Sequence, residues 1–422
     1  MLRKTLRYLA AVLSATLLAV GVVAASTPAS AAGFTAADIF NPAKISSMSL
    51  DIPDASAASL ATDPKKYVAA VFSITVNGFK IDNINVGVRL KGSTSLEQLS
   101  GHPSFKVAFN WGPSKGSRLV GLKNLTLNAM TQDTSKLHEF SAYKLHNAMN
   151  VPAPRTGWTM LNLNGTSKGL YLSLETIDDI FLGSKFTSIT QHLYEGVALK
   201  DFNLGNDNGN ENTGNFLVTE GWTATPNKID LKNFIAMANI SDGATWWARF
   251  GQLADRSEWI REWAVENFTG QWDGYSGPII NNYFIRSDLF GKFVLIPWGQ
   301  DQTFGENRQT SALLDNYFFA TDQPKVGFPW VQQAFHKSTM DRGMLFTKCL
   351  AYAKCRTEYL TQLKLVSAKA TSIKLVTLMK NAAYVLRSKT TSAQKAEQVR
   401  TQNWVALQQA KVAVVLKKYG IR

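Results

Sequence analysis

A chain of 422 residues that is 45% apolar and 11% aromatic has ample material for a buried core and is too apolar for a disordered polyelectrolyte. Its two cysteines exclude a disulfide-dense mini-scaffold and a multi-cysteine zinc module. The net charge of +14 is unevenly placed: residues 347–422 hold 15 Lys and Arg against two acids, which leaves the middle of the chain close to neutral.

Arg3, Lys4 and Arg7 precede an apolar run from Leu9 to Ala25, and residues 27–32 read TPASAA. A basic start, an apolar stretch and an Ala29-Ser30-Ala31 site predict a secretory signal over residues 1–32, cut after Ala31 or Ala32. An uncleaved membrane anchor is the rival, since the run approaches the ~20 residues that span a bilayer. The small residues and Pro28 favour cleavage. No second run of that length follows, so the mature chain is expected to be exported, soluble and without a membrane span.

The first half of the mature chain reads as strands, one helix, then strands. Val71 to Gly92 predicts a hairpin turning at Asn77-Gly78, followed by another strand. The loop Lys91-Gly92-Ser93-Thr94-Ser95 offers either a phosphate cradle or an ordinary connection. In SFKVAFN, Phe105, Val107 and Phe109 alternate with Lys106, which puts Lys106 on the opposite face. A strand lysine is commonly solvated, yet beside a nucleotide it can neutralise phosphates. Asp133-Thr134-Ser135 offers an N-cap for a helix running to about Met149 that carries Glu139. His138 and His146 on that helix read as packing or surface groups, since no zinc-like spacing accompanies them. A second hairpin turns at Asn164-Gly165 and closes on Glu175.

Asn203 to Asn215 is the most polar stretch and predicts an exposed excursion; its NDNGNEN does not fit an EF-hand calcium loop. The eleven Trp raise a carbohydrate-active enzyme, but Trp246, Trp247, Trp259 and Trp263 fall in helical segments and read better as core. Cys349 and Cys355 suggest one disulfide in an oxidising compartment. An unbroken helix would hold their Cα atoms roughly 9 Å apart at ~1.5 Å per residue, so the bond requires a break between them. The basic region 347–422 has helical apolar spacing. It reads as helices packed on the core with a Lys-rich solvated face, or as an attraction for an anionic polymer such as cell-wall phosphate. It has no RNP-like or zinc-finger pattern, so specific nucleic-acid recognition is not expected.

The most informative stretch is Trp272 to Gly305. Asp273 is followed by Asn281 and Asn282, two strand-like runs, and Asp301 in a D-Q-T-F-G turn. An acid, an amide and a second acid after an apolar strand form a metal–phosphate arrangement: one Asp orients the attacking hydroxyl, the Asn and the second Asp hold Mg²⁺. Asp and Asn also fill ordinary turns. No GxxxxGK[ST] motif exists, which excludes a P-loop enzyme.

VGVRLKGSTS, SFKVAFN, the block from Leu122 to Asp178 and NNYFIRSDLFGKFVLIPWGQDQTFG occur in one order and resemble the CotH family of spore-coat-protein-H-like secreted kinases. The resemblance runs from about Ile45 to Gly305. It implies an α+β, atypical protein-kinase-like fold with two lobes: a strand-rich N-lobe over about 45–178 and a mainly helical C-lobe over about 179–346. Residues 347–422 form a basic helical extension completing the C-lobe. It implies ATP and Mg²⁺ or Mn²⁺ as cofactors and transfer of the γ-phosphate to Ser or Thr of an extracellular or cell-envelope protein. Lys106 resembles the phosphate-contacting lysine, with Glu139 its helix partner and Glu175 a further candidate at the nucleotide. Asp273 resembles the catalytic Asp, and Asn282 and Asp301 the metal ligands. Two departures stand out. Trp298-Gly299-Gln300-Asp301 replaces a common W-D-x-D, so the first acid is missing. Asp273 and Asn282 are nine positions apart where about five is usual, so Gly277 to Ile280 must bulge outward for both to meet one metal. An inactive kinase-like binding protein at the cell surface or matrix is the alternative.

Overall fold

A computed structural model describes residues 33–92, 95–207, 214–220, 228–277, 279–305 and 343–421. The signal-like segment 1–32 and the middle of the polar excursion, 208–213, lie outside the described residues. The architecture is α+β, strand-rich in its N-terminal half and helical towards the C-terminus.

The N-terminal half closes into a barrel. Its strands are β1 (Ile45–Asp51), β2 (Val68–Val76), β3 (Phe79–Lys91), β4 (Ser104–Ala108), β5 (Asn124–Asn128), β6 (Thr156–Leu163) and β7 (Thr166–Glu175), in the order β1-β2-β3-β4-β5-β7-β6. Both predicted hairpin turns are present, with Asn77-Gly78 and Asn164-Gly165 at positive φ as a tight two-residue turn demands. The expected separate strand after the first hairpin is instead continuous with it: β3 runs unbroken for 13 residues. Parallel pairing of β1 with β6 completes the barrel, a closure that alternation within single strands does not reveal.

Period-2 patterning sets the two faces of the wall. Val86, Val88 and Leu90 of β3 and Phe105 and Val107 of β4 are buried in the barrel core. Arg89, Lys91 and Lys106 take the intervening outward positions, and Arg89 pairs with Lys106 in the ladder. The helices before the C-terminal group are α1 (Ala36–Ile39), α2 (Asp54–Thr62), α3 (His138–Ala148), α4 (Asp179–Lys185), α5 (Ile229–Ala238), α6 (Gly243–Leu253) and α7 (Arg256–Thr269); α3, between β5 and β6, packs against β6 and α7.

A second antiparallel sheet has the order β11-β10-β8-β9, with β8 (Thr190–Gly196), β9 (Phe216–Glu220), β10 (Tyr283–Asp288) and β11 (Phe293–Pro297). Around it, Trp246, Trp259 and Trp263 are fully buried, in the same core cluster as Trp247. These tryptophans are core, not a sugar-binding platform.

Four helices end the chain: α8 (Met344–Ala351), α9 (Ala353–Ser372), α10 (Leu375–Leu386) and α11 (Ser392–Lys418). Cys349 and Cys355 form a disulfide with Cα atoms 4.9 Å apart. This is possible because Tyr352, with extended backbone (φ −90°, ψ 117°), breaks the helix between α8 and α9. On α9, Tyr359, Leu360, Leu363 and Val366 are buried, while Lys354 and Lys364 are exposed. On α11, Trp404, Val405 and Val412 join the core, and Lys395, Lys417 and Lys418 face solvent. Among the described residues no helix is long and apolar enough to cross a membrane.

Candidate active site

Helix α7 ends at Gly270 in the left-handed conformation, and the chain then winds around a carboxylate of that same helix. Glu266 accepts hydrogen bonds from Tyr275 N–H (3.1 Å), Ser276 N–H (2.7 Å) and the Ser276 hydroxyl (2.5 Å). Gly274 must be glycine here, because a Cβ would stand 2.2 Å from Glu266 Oε1. Asp273 rides on this loop. Asn281 donates to its Oδ1 (3.1 Å), and Asn282 to its Oδ2 (2.8 Å) and its backbone carbonyl (3.0 Å). Burial pushes the Asp273 carboxyl up to about 7, with the nearby Asp301 charge adding to the rise and the two amides opposing it.

Asp273 and Asn282 therefore do meet across their nine-residue spacing, but not through an outward bulge. Ile279 and Ile280 are buried, and Ile279 N–H donates to Trp272 O (3.0 Å). Ile279 and Ile280 fold inward because their apolar side chains gain by burial.

Asp301 follows β11 in the turn closed by Gly305. Thr303 Oγ donates to Gln300 O (2.7 Å) and Phe304 N–H to Thr269 O (2.6 Å), tying this turn to the end of α7. Burial raises the Asp301 carboxyl; Lys91 opposes the rise and Asp133 adds to it. Asp133 itself is buried and organises the start of α3, accepting Ser135 N–H (3.0 Å) and His138 N–H (2.8 Å). The helix thus begins at His138, later than the Asp133 cap suggests, because that carboxylate reaches forward over five residues to close the turn. His138 lies within the site's supports: Nδ1 is 3.1 Å from the Asp301 carbonyl and Nε2 is 2.9 Å from Thr401 Oγ1 on α11. His146 is a packing group, held below the usual imidazole range, to about 4, by burial.

Glu139 is 1% exposed and takes a hydrogen bond from Asn128 of β5, while its Oε1 has no hydrogen-bond partner among the described residues. Burial pushes it up to about 8; Asp301 adds to the rise and Lys91 opposes it. Lys91 is the cation that opposes the rise at both Glu139 and Asp301, where the resemblance implied Lys106 as the partner of Glu139. Lys91 also lies over the Trp298 ring, 5.5 Å from its centroid.

Lys106 belongs to a neighbouring group of like charges. Burial above all, with the charges of Arg89, Lys91 and Lys65 adding to it and Glu195 of β8 opposing, lowers it to about 8. An outward strip of cations crowded enough to weaken its own lysine is poised for an anion. Glu175 is not part of this arrangement. Arg155 takes its Oε1 at 2.6 Å through the guanidinium and its Oε2 at 3.0 Å through the backbone N–H. It is a structural ion pair at the barrel end.

Asp273, Asp301, Glu139 and Lys106 thus belong to one run of interacting charges that includes Lys91, with Asn282 hydrogen-bonded to Asp273. The sequence reading raised Lys91 only as the start of a possible phosphate-cradle loop, and it missed Arg89 and Glu195. The alternation of Val86, Val88 and Leu90 with Gly87, Arg89 and Lys91 carried the signal for Arg89 and Lys91; Glu195 had none, since β8 was not anticipated. The carboxylate and amide oxygens of Asp301, Asn282 and Glu139 are hard donors of the kind Mg²⁺ and Mn²⁺ take. The partnerless Glu139 Oε1 fits such an ion. Among the described residues no three His, Cys, Asp or Glu side chains gather as a metal cluster, so water and phosphate oxygens would complete the ligand set.

Comparison with known proteins covers this stretch of the chain. The inner spore coat protein H of Bacillus subtilis (strain 168) is 25% identical over 200 residues, covering 47% of this chain and 54% of that protein, about half the length of each. The family model described as CotH kinase protein matches residues 88–399. That span starts just before Arg89 and Lys91, includes every acid and amide of the site, and continues into α11 as far as residue 399. With well over half its length matched, the chain belongs to the CotH kinase protein family.

Proposed function

We propose that this chain is a secreted protein kinase that uses ATP with Mg²⁺ or Mn²⁺ to phosphorylate Ser or Thr residues of extracellular or cell-envelope proteins, on a two-lobed, atypical kinase-like fold. The observation that carries the reading is the apposition of the Asp273–Asn282–Asp301 acids and amide with the cations Lys91 and Lys106 on the barrel wall. A phosphoryl group needs both: cations for its oxygens and a carboxylate for the attacking hydroxyl. Lys106, Arg89 and Lys91 would receive the phosphates. Asp273 would accept a hydrogen bond from the acceptor hydroxyl, and its raised pKa suits it to take up that proton near neutral pH. A divalent ion bound by Asp301, Asn282 and Glu139 would supply neutralisation of the developing phosphoryl charge.

The test is incubation of the purified mature protein with labelled ATP, Mn²⁺ and a Ser-rich protein, beside Asp301→Ala. Label transfer by the native chain and none by the variant is expected; equal transfer by both removes Asp301 from the chemistry.

Asp301 as the single acid of its turn, with Gly299 in place of a second, favours one other reading: a kinase-like binding protein without catalysis. Thermal unfolding with ATP and Mn²⁺ separates the two, because a ligand that binds the folded state raises the midpoint. No rise at millimolar nucleotide selects the binding protein. The exposed Lys395, Lys417 and Lys418 support a further role in holding an anionic polymer. Their replacement by Gln should then weaken retention on such a polymer as added salt does.

A further inference from the structure

The loop carrying Asp273 leads into β10 and the loop carrying Asp301 leaves β11, so both lie at the open end of that hairpin, where a buried side-chain amide bridges them. Gln271 is 1% exposed. Its Oε1 accepts the Asp273 N–H at 3.3 Å, and its Nε2 donates to the Gly299 carbonyl at 2.8 Å. Its own backbone N–H donates to the Glu266 carbonyl at 2.8 Å, so the amide springs from the rigid end of α7.

We propose that Gln271 is a positioning residue that fixes the separation of the Asp273 and Asp301 loops. The proposal rests on the reading of these two acids as the reacting pair. The chemistry of the amide is specific to the task. One loop offers a backbone donor and the other a backbone acceptor, and only a side chain with an acceptor and a donor on one carbon answers both. Asn is a methylene too short to span the gap. Backbone bonds also link the two segments, Trp298 N–H to Asn282 O (3.0 Å) and Phe304 N–H to Thr269 O (2.6 Å), but among the described residues Gln271 is the side chain that bonds the Asp273 backbone and the Asp301 turn at once. A loss of this clamp leaves both carboxylates in place but lets their spacing drift, and a misplacement of about 1 Å can cost ~10²-fold in rate.

The experiment uses full-length mature protein with labelled ATP, Mn²⁺ and a Ser-rich acceptor, comparing Gln271→Met and Gln271→Glu with the native chain. Gln271→Met keeps the length and removes both hydrogen bonds. It is expected to lower kcat about 10²-fold with the KM for ATP within about threefold, because the cations of the barrel wall are untouched. The Gln271→Glu side chain restores donor and acceptor when it takes up a proton. The ratio of its kcat to that of the native chain should therefore rise as pH falls from 8 to 6. A Gln271→Met kcat within threefold of native, or a flat Gln271→Glu ratio, overturns the proposal. If Gln271→Met does not fold, the Gln271→Glu ratio decides alone. Should the native chain transfer no phosphate, the kinase reading falls and this one is decided by crystal structures of native and Gln271→Glu protein at pH 8: parted loops support the clamp, superposed loops end it.

Discussion

Gly299 leaves room for Asn282 and for nothing else: a Cβ on Gly299 would stand 2.6 Å from Asn282 Oδ1, and Gly299 has φ +52°. The missing acid of the Trp298–Asp301 turn is thus built into the backbone. Gly299→Asp would meet the left-handed penalty of ~1–2 kcal/mol and a steric clash besides. Chemical denaturation should show a loss of at least that size. Because the new side chain displaces the Asn282 amide from Asp273, the Mn²⁺–ATP rise in melting temperature should shrink. A fully stable variant with stronger nucleotide binding would show that the turn readily accepts two acids.

Asp273→Asn should lower phosphoryl transfer by ~10²–10⁴-fold. It should also change stability with a definite sign. The Asp273 pKa is raised to about 7 by burial, so the folded state holds its proton more tightly than the unfolded chain. That advantage is complete below the ordinary carboxylate range near ~4 and is lost as pH rises through 7. The melting temperature of Asp273→Asn relative to native should therefore climb between pH 4 and 7 and level off above. A difference independent of pH would mean Asp273 titrates normally.

Nucleotide binding should take up a proton near pH 8. Lys106 is lowered to about 8 by burial and by the neighbouring cations, and a phosphate beside it favours its charged form. Calorimetric titration with ATP in buffers of different ionisation heat measures the uptake, which should vanish at pH 6, where Lys106 is already charged, and in Lys106→Met. Equal uptake in that variant would assign the proton elsewhere.

The C-terminal helix is a part of the core. Trp404 Nε1 donates to Phe268 O (3.2 Å) at the end of α7, and Gln398 Nε2 to Ser135 O (3.2 Å) at the start of α3. Trp404→Ala should cost ~3–5 kcal/mol, read by urea denaturation, and deletion of residues 392–422 should leave no cooperative unfolding transition. A truncated chain that melts like the native one would make α11 an appendage.

Local chemistry in the sequence carried much of this. The Asn-Gly turns, the faces of β3 and β4, the buried Trp stripe and the need for a break between the cysteines each follow from a few neighbouring residues. What was not legible depends on long-range geometry. A strand lysine and a helix acid fit a familiar order, which pairs Lys106 with Glu139; the cation that acts on that acid is Lys91 of β3, two residues beyond Arg89, the ladder partner of Lys106. Glu175 looked available until Arg155, on the approach to the neighbouring strand, took both its oxygens. Gly277 to Ile280 looked like an outward insertion because spacing alone says nothing of Glu266, the residue around which the loop turns.

The closure of the barrel sets the order in which this chain can fold. Ile45 lies against Trp158 and Leu50 against Leu163, and the Asn164 amide seals the seam by bonding Ile52 N–H (2.7 Å) and carbonyl (3.0 Å). The first strand therefore has no permanent neighbour on one side until more than a hundred further residues have been made. A nascent chain ending before Thr156 exposes β1 as an open edge, the kind of surface that invites pairing between molecules. Loop closure of that length is slow, and synthesis or refolding of this protein should be most vulnerable to aggregation in that interval.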